Sequence, residues 1–186
     1  MSTYRAPLDD MQFVLNELAG LAEVAKLPGC EEAEPETVAA ILEEASRFAT
    51  DVLDPLNRSG DQRGARLTED GTVHTPQGFR DAYWKFVENG WNGLAKSPEF
   101  GGQGLPQIVA AAVEEMWHAS NMAFELCPLL TQGAIEAIEL NGSEELKQRY
   151  LPKMVAGEWT GTMNLTEPQA GSDLAAVRTR AVPQAD

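Results

Sequence analysis

The chain has 186 residues, of which 14 are Lys or Arg and 29 are Asp or Glu, so its formal net charge at pH 7 is −15. This charge argues against nucleic-acid binding and against docking on an anionic membrane by bulk electrostatics. Hydrophobic residues make up 43% and charged residues 23% of the chain, which is ordinary usage for a globular protein and argues against disorder.

Residues that could hold a metal are sparse. Cys30 and Cys127 lie far apart, and neither His74 nor His118 has a second ligand at metal spacing, so we expect no disulfide framework and no metal site. Acidic Asp9-Asp10 falls where a secretory signal would begin its apolar run. No apolar run approaches the ~20 residues that a membrane span needs. The expected compartment is the cytoplasm.

The first 157 residues carry the apolar spacing of helices. Apolar residues at three- and four-residue steps predict a helix over residues 8–25, which Pro28-Gly29 ends. The same spacing predicts a second helix over residues 35–53. Asp70-Gly71 lies between Arg66-Leu67-Thr68 and Val73-His74-Thr75, and residues 57–75 are compatible with either a small hairpin or a long loop.

Capping residues and glycines divide the next part of the chain. Thr75-Pro76 favours the start of a helix that Gly90 or Gly93 ends. A glycine-rich loop follows over residues 97–106, and it lacks the Lys-Ser/Thr pair of a phosphate-binding P-loop. Further helices are predicted over residues 108–120, over residues 128–140, and after Ser143 as an N-cap, with Pro152 and Gly157 ending the last one.

At Trp159 the pattern changes from helical spacing to alternation. Trp159, Gly161, Met163 and Leu165 alternate with polar residues, which predicts a strand that ends at Glu167-Pro168. A single strand cannot pair its own backbone groups. It must therefore pair with another chain or belong to a further β domain.

The end of this predicted strand collects small and polar groups. Thr166 offers a hydroxyl and a backbone N–H, Pro168 fixes the exit direction, and Gly171 lets a ligand approach the backbone closely. Ser172 and Asp173 add short polar side chains. A planar ligand edge rich in acceptors would suit this row of donors. The alternative is a plain strand-to-helix turn in which Asp173 caps the following turn.

Residues 157–174, GEWTGTMNLTEPQAGSDL, resemble the flavin-binding signature of the acyl-CoA dehydrogenase family. The loop at residues 100–105 and the stretch at 141–157 resemble the corresponding parts of that family. Residues 4–7 resemble the leading segment of a longer subgroup that includes 3-methylmercaptopropionyl-CoA dehydrogenases. The resemblance covers essentially the whole chain, and about the first third of such an enzyme.

The resemblance implies a mainly α fold. An amino-terminal helical domain with a leading extension would occupy residues 1–157, and residues 158–186 would form the first strand of an incomplete β domain. In the family, helices at the position of residues 126–133 line the acyl pocket, although a plain core role fits single residues there equally well. Glu167 is interpreted as a structural carboxylate at a turn, and residues 101–104 as loop geometry.

The resemblance also implies FAD as the cofactor. Backbone groups of Met163, Leu165 and Thr166, together with the Thr166 hydroxyl, would meet the pyrimidine side of the flavin. Gly171 and Ser172 would lie beside the cofactor and the acyl-CoA, and Ser172 would also reach the substrate. The implied reaction is α,β-dehydrogenation of an acyl-CoA thioester, with removal of the α-proton and hydride transfer to flavin N5.

The catalytic base of the family is a carboxylate in a later helical domain, so no catalytic residue is assigned in this chain. The chain alone is therefore expected to be inactive, as an amino-terminal fragment of the enzyme. The implied partners are the acyl-CoA substrate and an electron-transfer acceptor, with a homo-oligomer for the full-length enzyme.

A second hypothesis is a non-enzymatic helical module whose lone strand is completed by another protein. A split flavoenzyme, with the missing half on another polypeptide, lies between the two. Protection of residues 158–186 in a native complex would favour the module, and their sensitivity to protease in a monomer would favour the fragment.

Overall fold

The computed structural model describes residues 4–184, and most of them are helical. Helices in this range are α1 (Leu8–Phe13), α2 (Leu21–Val24), α3 (Pro35–Phe48), α4 (Asp54–Arg63), α5 (Phe79–Glu88), α6 (Gln107–Asn141) and α7 (Glu144–Val155). Two short antiparallel strands, β1 (Arg66–Leu67) and β2 (Val73–His74), pair between α4 and α5. The predicted mainly α fold is confirmed, and the region around Asp70-Gly71 is a hairpin.

The amino-terminal helix is shorter than its apolar spacing predicts. After α1 the chain forms a π-helical turn over Val14–Leu18, and Gly20 then adopts a left-handed backbone with φ of 69°. A left-handed residue cannot continue a right-handed helix. The prediction of one continuous helix over residues 8–25 is therefore wrong, and α2 is a separate short helix.

The second predicted helix runs further than expected. From α3 the chain passes through a π-helical turn at Ala49–Leu53 directly into α4, which ends at Gly64. Gly60 lies inside α4 rather than in a loop. A methyl group at that position would lie 2.7 Å from the ring of Phe79, so the glycine lets α5 approach α4 closely.

Helix α5 begins later than the Thr75-Pro76 signal predicts, and that prediction is wrong. The first helical residue is Phe79, preceded by Gly78 with φ of 91°. A side chain at Gly78 would collide with Leu56, whose nearest atom would be 2.6 Å away. The left-handed Gly78, packed against Leu56 of α4, therefore stands where the helix begins, and Thr75 is not its cap. Gly90, with φ of 74°, follows the end of α5 as predicted.

Helix α6 joins the two helices predicted over residues 108–120 and 128–140. Asn121 lies between them with a non-helical backbone, φ −157° and ψ 83°. Its side-chain Nδ2 donates to the carbonyl of Leu53 at 3.0 Å, and its Oδ1 accepts from the N–H of Phe124 at 3.1 Å. The side chain therefore caps the second half of α6 and ties the kink to the end of the π-helical turn after α3.

Helix α7 begins as its cap predicts. The hydroxyl of Ser143 accepts from the N–H of Leu146 at 3.3 Å, which confirms the predicted N-cap. Pro152 lies within the helix instead of ending it, and α7 stops at Val155. Gly157, with φ of 76°, turns the chain away from the helix.

The main core is aromatic at its centre. Trp117 packs edge-on against Phe48 and Trp91, with ring centroids 5.2 Å and 5.3 Å apart, and Phe86 packs against it at 6.2 Å. Edge-to-face pairs of this kind add to the stabilisation that burial provides. A second, smaller core lies between α6, α7 and the glycine-rich loop, formed by Phe100, Ile135, Leu151, Met154 and Val155.

The predicted strand at residues 159–165 finds no partner in residues 4–184. The run over residues 160–166 has neither helical nor ladder hydrogen bonds, and the isolated bridge after it joins Glu167 to Ala170. This outcome matches the argument that a lone strand cannot form a sheet. A 3₁₀ turn follows at Leu174–Ala176, and Asp173 caps it by accepting from the N–H of Ala175 at 3.2 Å, as predicted.

No helix in the described part of the chain is both long enough and apolar enough to cross a membrane. Residues 1–3 and 185–186, which belong to the two predicted domains, lie outside the described residues. The division of the chain at residue 157 stays a prediction. In the structure, the helical part of the chain ends at Gly157, which has a left-handed backbone.

Candidate functional site

Side chains from the helical core hold the end of α7 in place. The Asn92 amide Nδ2 donates to the carbonyls of Met154 at 2.6 Å and Val155 at 3.1 Å. The hydroxyl of Tyr83 donates to the carbonyl of Gly157 at 2.9 Å. The carbonyl of Val155 lies at the helix end, where internal partners run out, and the carbonyl of Met154 also accepts from the N–H of Gly157 at 3.1 Å. These bonds fix the direction in which the chain leaves the helical bundle.

The residues after Gly157 lead into the predicted ligand segment. The ring of Trp159 contacts Lys153, whose ammonium lies 4.5 Å from the ring centroid, and Tyr150, whose ring centroid lies 6.0 Å away. The N–H of Gly161 donates to the hydroxyl of Thr131 on α6 at 3.1 Å. The chain is therefore anchored to the bundle up to Gly161.

The next residues present open hydrogen-bond donors. Within residues 4–184, the backbone N–H groups of Met163, Leu165 and Thr166 donate to no acceptor, and the Thr166 hydroxyl has no partner. Met163 is 63% exposed, Leu165 is 41% exposed, and Thr166 is also exposed. Three N–H groups and a hydroxyl are thus free to meet an acceptor-rich edge. The C2 and C4 carbonyls and N1 of a flavin pyrimidine present acceptors along such an edge, so the chemistry of this donor row fits FAD.

A tight turn joins this donor row to the other predicted site residues. Glu167 and Ala170 exchange backbone hydrogen bonds of 3.1 Å and 3.0 Å. Gly171 follows, and a methyl group built there would have no neighbour within 4 Å, so its backbone is open to a ligand. Ser172 is exposed beside it. All five predicted residues are exposed and lie within ten consecutive positions, on either side of the buried Ala170.

Glu167 organises the return of the chain below that turn. Its carboxylate accepts from the N–H of Arg178 at 3.0 Å, from the N–H of Thr179 at 2.8 Å and from the Thr179 hydroxyl, and the amide of Gln169 also donates to it. These donors, with the Thr179 hydroxyl foremost, lower the pKa of Glu167 to about 2. A carboxylate so stabilised in its charged form is a poor base. The interpretation of Glu167 as a structural carboxylate at a turn is confirmed.

An apolar groove of about 480 Å³ lies between α5 and α6 and reaches the start of this segment. Its lining includes Phe79, Tyr83, Trp84, Phe124, Cys127 and Thr160. Burial raises the pKa of Tyr83 to about 12, and burial also raises the pKa of the Cys127 thiol. Both groups are therefore neutral at pH 7. Arg80 is the one charged side chain in the lining among the described residues.

Comparison with known proteins decides the family. Residues 35–158 match the family model described as acyl-CoA dehydrogenase, N-terminal domain, which is more than half of the chain. The chain belongs to the acyl-CoA dehydrogenase family. The family resemblance is thereby confirmed, although the matched range ends at residue 158, where the 157–174 signature has only begun.

Individual proteins show how much of such a family member the chain represents. It is 48% identical to 3-methylmercaptopropionyl-CoA dehydrogenase of Ruegeria pomeroyi over 99% of this chain and 31% of that relative. A solved structure from work on the electron transferring flavoprotein of Acidaminococcus fermentans matches with a TM-score of 0.66 and 26% identity, over 80% of this chain and 36% of the other. The FAD complex of PigA matches with a TM-score of 0.59 and 26% identity, over 74% and 34%. The chain thus spans about a third of the length of this relative and these two structural neighbours.

Three residues that hold this family member's predicted site together were not predicted from the sequence. Tyr83, Asn92 and Thr131 each bond to a backbone group at least 30 positions away along the chain. Neither Tyr83 nor Asn92 belongs to a sequence pattern that marks such a contact. Thr131 alone offers a sequence signal for such a contact. It is a polar residue within an apolar stretch, and a buried hydroxyl requires a hydrogen-bond partner.

We expect Glu167→Gln to loosen residues 178 and 179. The amide has only one acceptor oxygen, and its NH₂ group would face the N–H groups that now donate to the carboxylate. The lowered pKa of Glu167 sets the pH dependence. The charged carboxylate stabilises the fold of residues 178–179 fully above pH 4.5, and this stabilisation is lost as the pH falls toward 2. Amide exchange at residues 178–179, corrected for intrinsic rates, measures both effects. Glu158→Gln, at a nearby exposed position, serves as the control, and equal exchange in the two variants would contradict the prediction.

Proposed function

We propose that this chain is the amino-terminal portion of an FAD-dependent acyl-CoA dehydrogenase. Its helical domain would occupy residues 1–157, and residues 158–186 would begin a β domain. The observation that carries the proposal is the exposed row of unpaired donors at residues 163–166, in a member of this family and beside an apolar groove. The structural similarity to the FAD complex of PigA supports FAD as the cofactor.

The residues of the segment would divide the work of holding the cofactor. The N–H groups of Met163, Leu165 and Thr166 and the Thr166 hydroxyl would donate to the pyrimidine side of the flavin. Fixed donors at that edge favour the negative charge that develops there on reduction. Gly171 would allow close backbone approach, and Ser172 would reach both cofactor and substrate. Bound FAD would supply the hydride acceptor, at N5, for the β-hydrogen of the acyl thioester.

The groove between α5 and α6 would receive the acyl chain. Its apolar walls and its neutral Tyr83 and Cys127 suit an uncharged chain, and Arg80 lies in its lining. The 48% identity to 3-methylmercaptopropionyl-CoA dehydrogenase supports an acyl-CoA thioester as substrate. In the family the α-proton base is a carboxylate of a later helical domain. No acid of this chain is assigned that role, and we expect the chain by itself to be inactive.

The proposal extends to partners of the whole enzyme. An electron-transfer acceptor is supported by the similar structure from work on an electron transferring flavoprotein. A homo-oligomer follows from the family resemblance alone. The two cysteines of the described chain are free thiols, which suits the cytoplasm. In the source cells we expect a polypeptide about three times as long, since the chain spans 31% of its relative.

The unpaired run at residues 160–166 also favours a second candidate, a helical module completed by a strand from another protein. A split flavoenzyme combines the two, because the partner strand would then belong to the missing half. In the module, residues 160–166 are protected by the partner in the absence of any flavin. In the enzyme, their protection depends on FAD and on domains of the same assembly.

We expect Thr166→Val to weaken FAD binding about tenfold in the native enzyme that carries this chain, because valine keeps the shape of threonine and loses one hydrogen bond to the flavin. Titration of the apoenzyme with FAD, followed by the flavin absorbance, measures the change. Thr162→Val is the matched control, since Thr162 is exposed and bonds only to nearby Asn164. Equal affinities in both variants, or a wild-type enzyme without flavin, would count against the proposed function.

A further inference from the structure

The hydroxyl of Thr131 is built into the end of the helical domain. The side chain is 0% exposed on α6, and its hydroxyl donates to the carbonyl of Cys127 at 2.9 Å. That bond uses the only proton of the hydroxyl and leaves its oxygen as an acceptor. The N–H of Gly161 donates to the same oxygen at 3.1 Å. A buried side chain thus reaches out of the bundle to the segment that follows α7.

Gly161 fits this contact because it has no side chain. A methyl group there would lie 2.4 Å from the Cβ of Ala134 and 3.3 Å from Cε of Met154. The Ala134 contact is too close for any larger residue unless the run moves away from α6. The hydrogen bond to Thr131 holds residue 161 close to α6, and the absence of a side chain at Gly161 makes this close approach possible.

We infer that Thr131 is a positioning residue, whose bond to Gly161 sets the place and direction of the donor row at residues 163–166. In residues 4–184 no later backbone or side-chain group of this row, up to Thr166, bonds to the helices. Gly161 is thus the last anchored residue, two positions before Met163. The role of this bond toward a flavin rests on the proposed function, whereas the anchoring itself does not.

The helix turn that carries Thr131 is itself tied to the end of α7. Gln132, the next residue, donates from Nε2 to the carbonyl of Asn92 at 2.9 Å, and Asn92 donates to the carbonyls of Met154 and Val155. The anchor for Gly161 is therefore connected to the helix from which the segment departs. Such support matters because a displacement of about 1 Å in a positioned group can cost about 100-fold in rate.

Amide exchange of the 186-residue chain tests the anchoring without any cofactor. Thr131→Val removes the hydroxyl at constant shape, and we expect exchange at Gly161 and the residues next to it to rise about tenfold. Thr131→Ser restores the hydroxyl and is expected to return exchange to the wild-type rate. Thr162→Val is the exposed control. Wild-type exchange at Gly161 in the Thr131→Val variant, with helix α3 still protected, would overturn the inference.

A second variant decides the matter if Thr131→Val unfolds the chain, which loss of protection in α3 would reveal. Gly161→Ala disturbs the same contact from the side of the exposed segment and leaves the buried hydroxyl in place. Faster exchange confined to residues 159–166 is expected. Unchanged exchange across these residues would overturn the inference.

Flavin binding by the native enzyme separates positioning from simple packing. We expect Thr131→Val to weaken FAD binding about tenfold and to alter the visible spectrum of the bound flavin, while Thr131→Ser behaves as wild type. Faster exchange at Gly161 with unchanged FAD affinity and spectrum would overturn the positioning role. A wild-type enzyme that binds no FAD would reject the proposed function, and amide exchange would still decide the anchoring.

Discussion

Raising the pH from 5 to 9 is expected to lower the free energy of unfolding of this protein by about 4 kcal/mol through one side chain, Glu125. The residue is 1% exposed on α6, and its Oε2 has no hydrogen-bond partner among the described residues. Burial, and secondarily the charge of Glu114, raises its pKa to about 8. The carboxyl is therefore neutral at pH 7 in the folded protein.

The direction follows from the two pKa values of the group. In the unfolded chain Glu125 ionises near its ordinary value of 4.5, and in the folded chain near 8. The contribution of neutral Glu125 to the free energy of unfolding is fully present below pH 4.5, falls as the pH rises from 4.5 to 8, and changes little beyond that. Each unit between the two pKa values is worth about 1.4 kcal/mol. Lys96 and Glu114 are the other charged side chains that line the small cavity at Glu125, in the part of the chain that the structure describes.

Urea unfolding at pH 5, 7 and 9 measures the effect in wild type and in Glu125→Gln. Glutamine has nearly the same shape and no ionisation, so the variant should lose most of the decline and exceed wild type in stability at pH 9. Glu136→Gln removes a negative charge from an exposed position of the same helix and controls for net charge. Parallel pH profiles for wild type and Glu125→Gln would refute a neutral buried carboxyl.

Predictions from the sequence succeeded where local chemistry decides the structure. The N-cap at Ser143, the cap at Asp173 and the apolar face of α3 depend on residues within one or two helical turns. The predictions failed where distant packing decides. At the start of α5 the side chain of Leu56 packs against Gly78, and within α4 the ring of Phe79 packs over Gly60. No window of neighbouring residues contains those contacts.

The candidate site shows the same division. A short pattern and a family resemblance predict Met163, Leu165, Thr166, Gly171 and Ser172 as site residues. All five are exposed in the structure, and their role stays a prediction. The residues that hold this segment are spread over three helical regions: Thr131 bonds across 30 positions and Tyr83 across 74. The alternation at residues 159–165 predicts a segment that can pair as a strand. The pairing itself requires a further strand.

The glycine-rich loop offers the second large effect, because Gly102→Ala should lower the free energy of unfolding by about 3 kcal/mol. A methyl group at Gly102 would lie 2.1 Å from the carbonyl oxygen of Lys96, and this neighbour is backbone that cannot rotate away. The loop cannot shift freely either. The N–H groups of Gly102, Gln103 and Gly104 donate to the carbonyls of Ser97, Gly93 and Lys96, each at 2.9 Å. Donors used in this way are not available to a phosphate, which supports the interpretation of residues 101–104 as loop geometry.

Gly101→Ala is the matched control for this substitution. Gly101 has φ of 91°, so alanine there is strained, but a methyl group would have no neighbour within 4 Å. We expect a cost of about 1 kcal/mol from the backbone alone. Thermal or urea unfolding of both variants separates collision from strain. Because the loop places Phe100 in the small core with Met154 and Val155, Gly102→Ala should also speed amide exchange at the end of α7. Equal losses of stability in the two variants would show that the contact with Lys96 relaxes without cost.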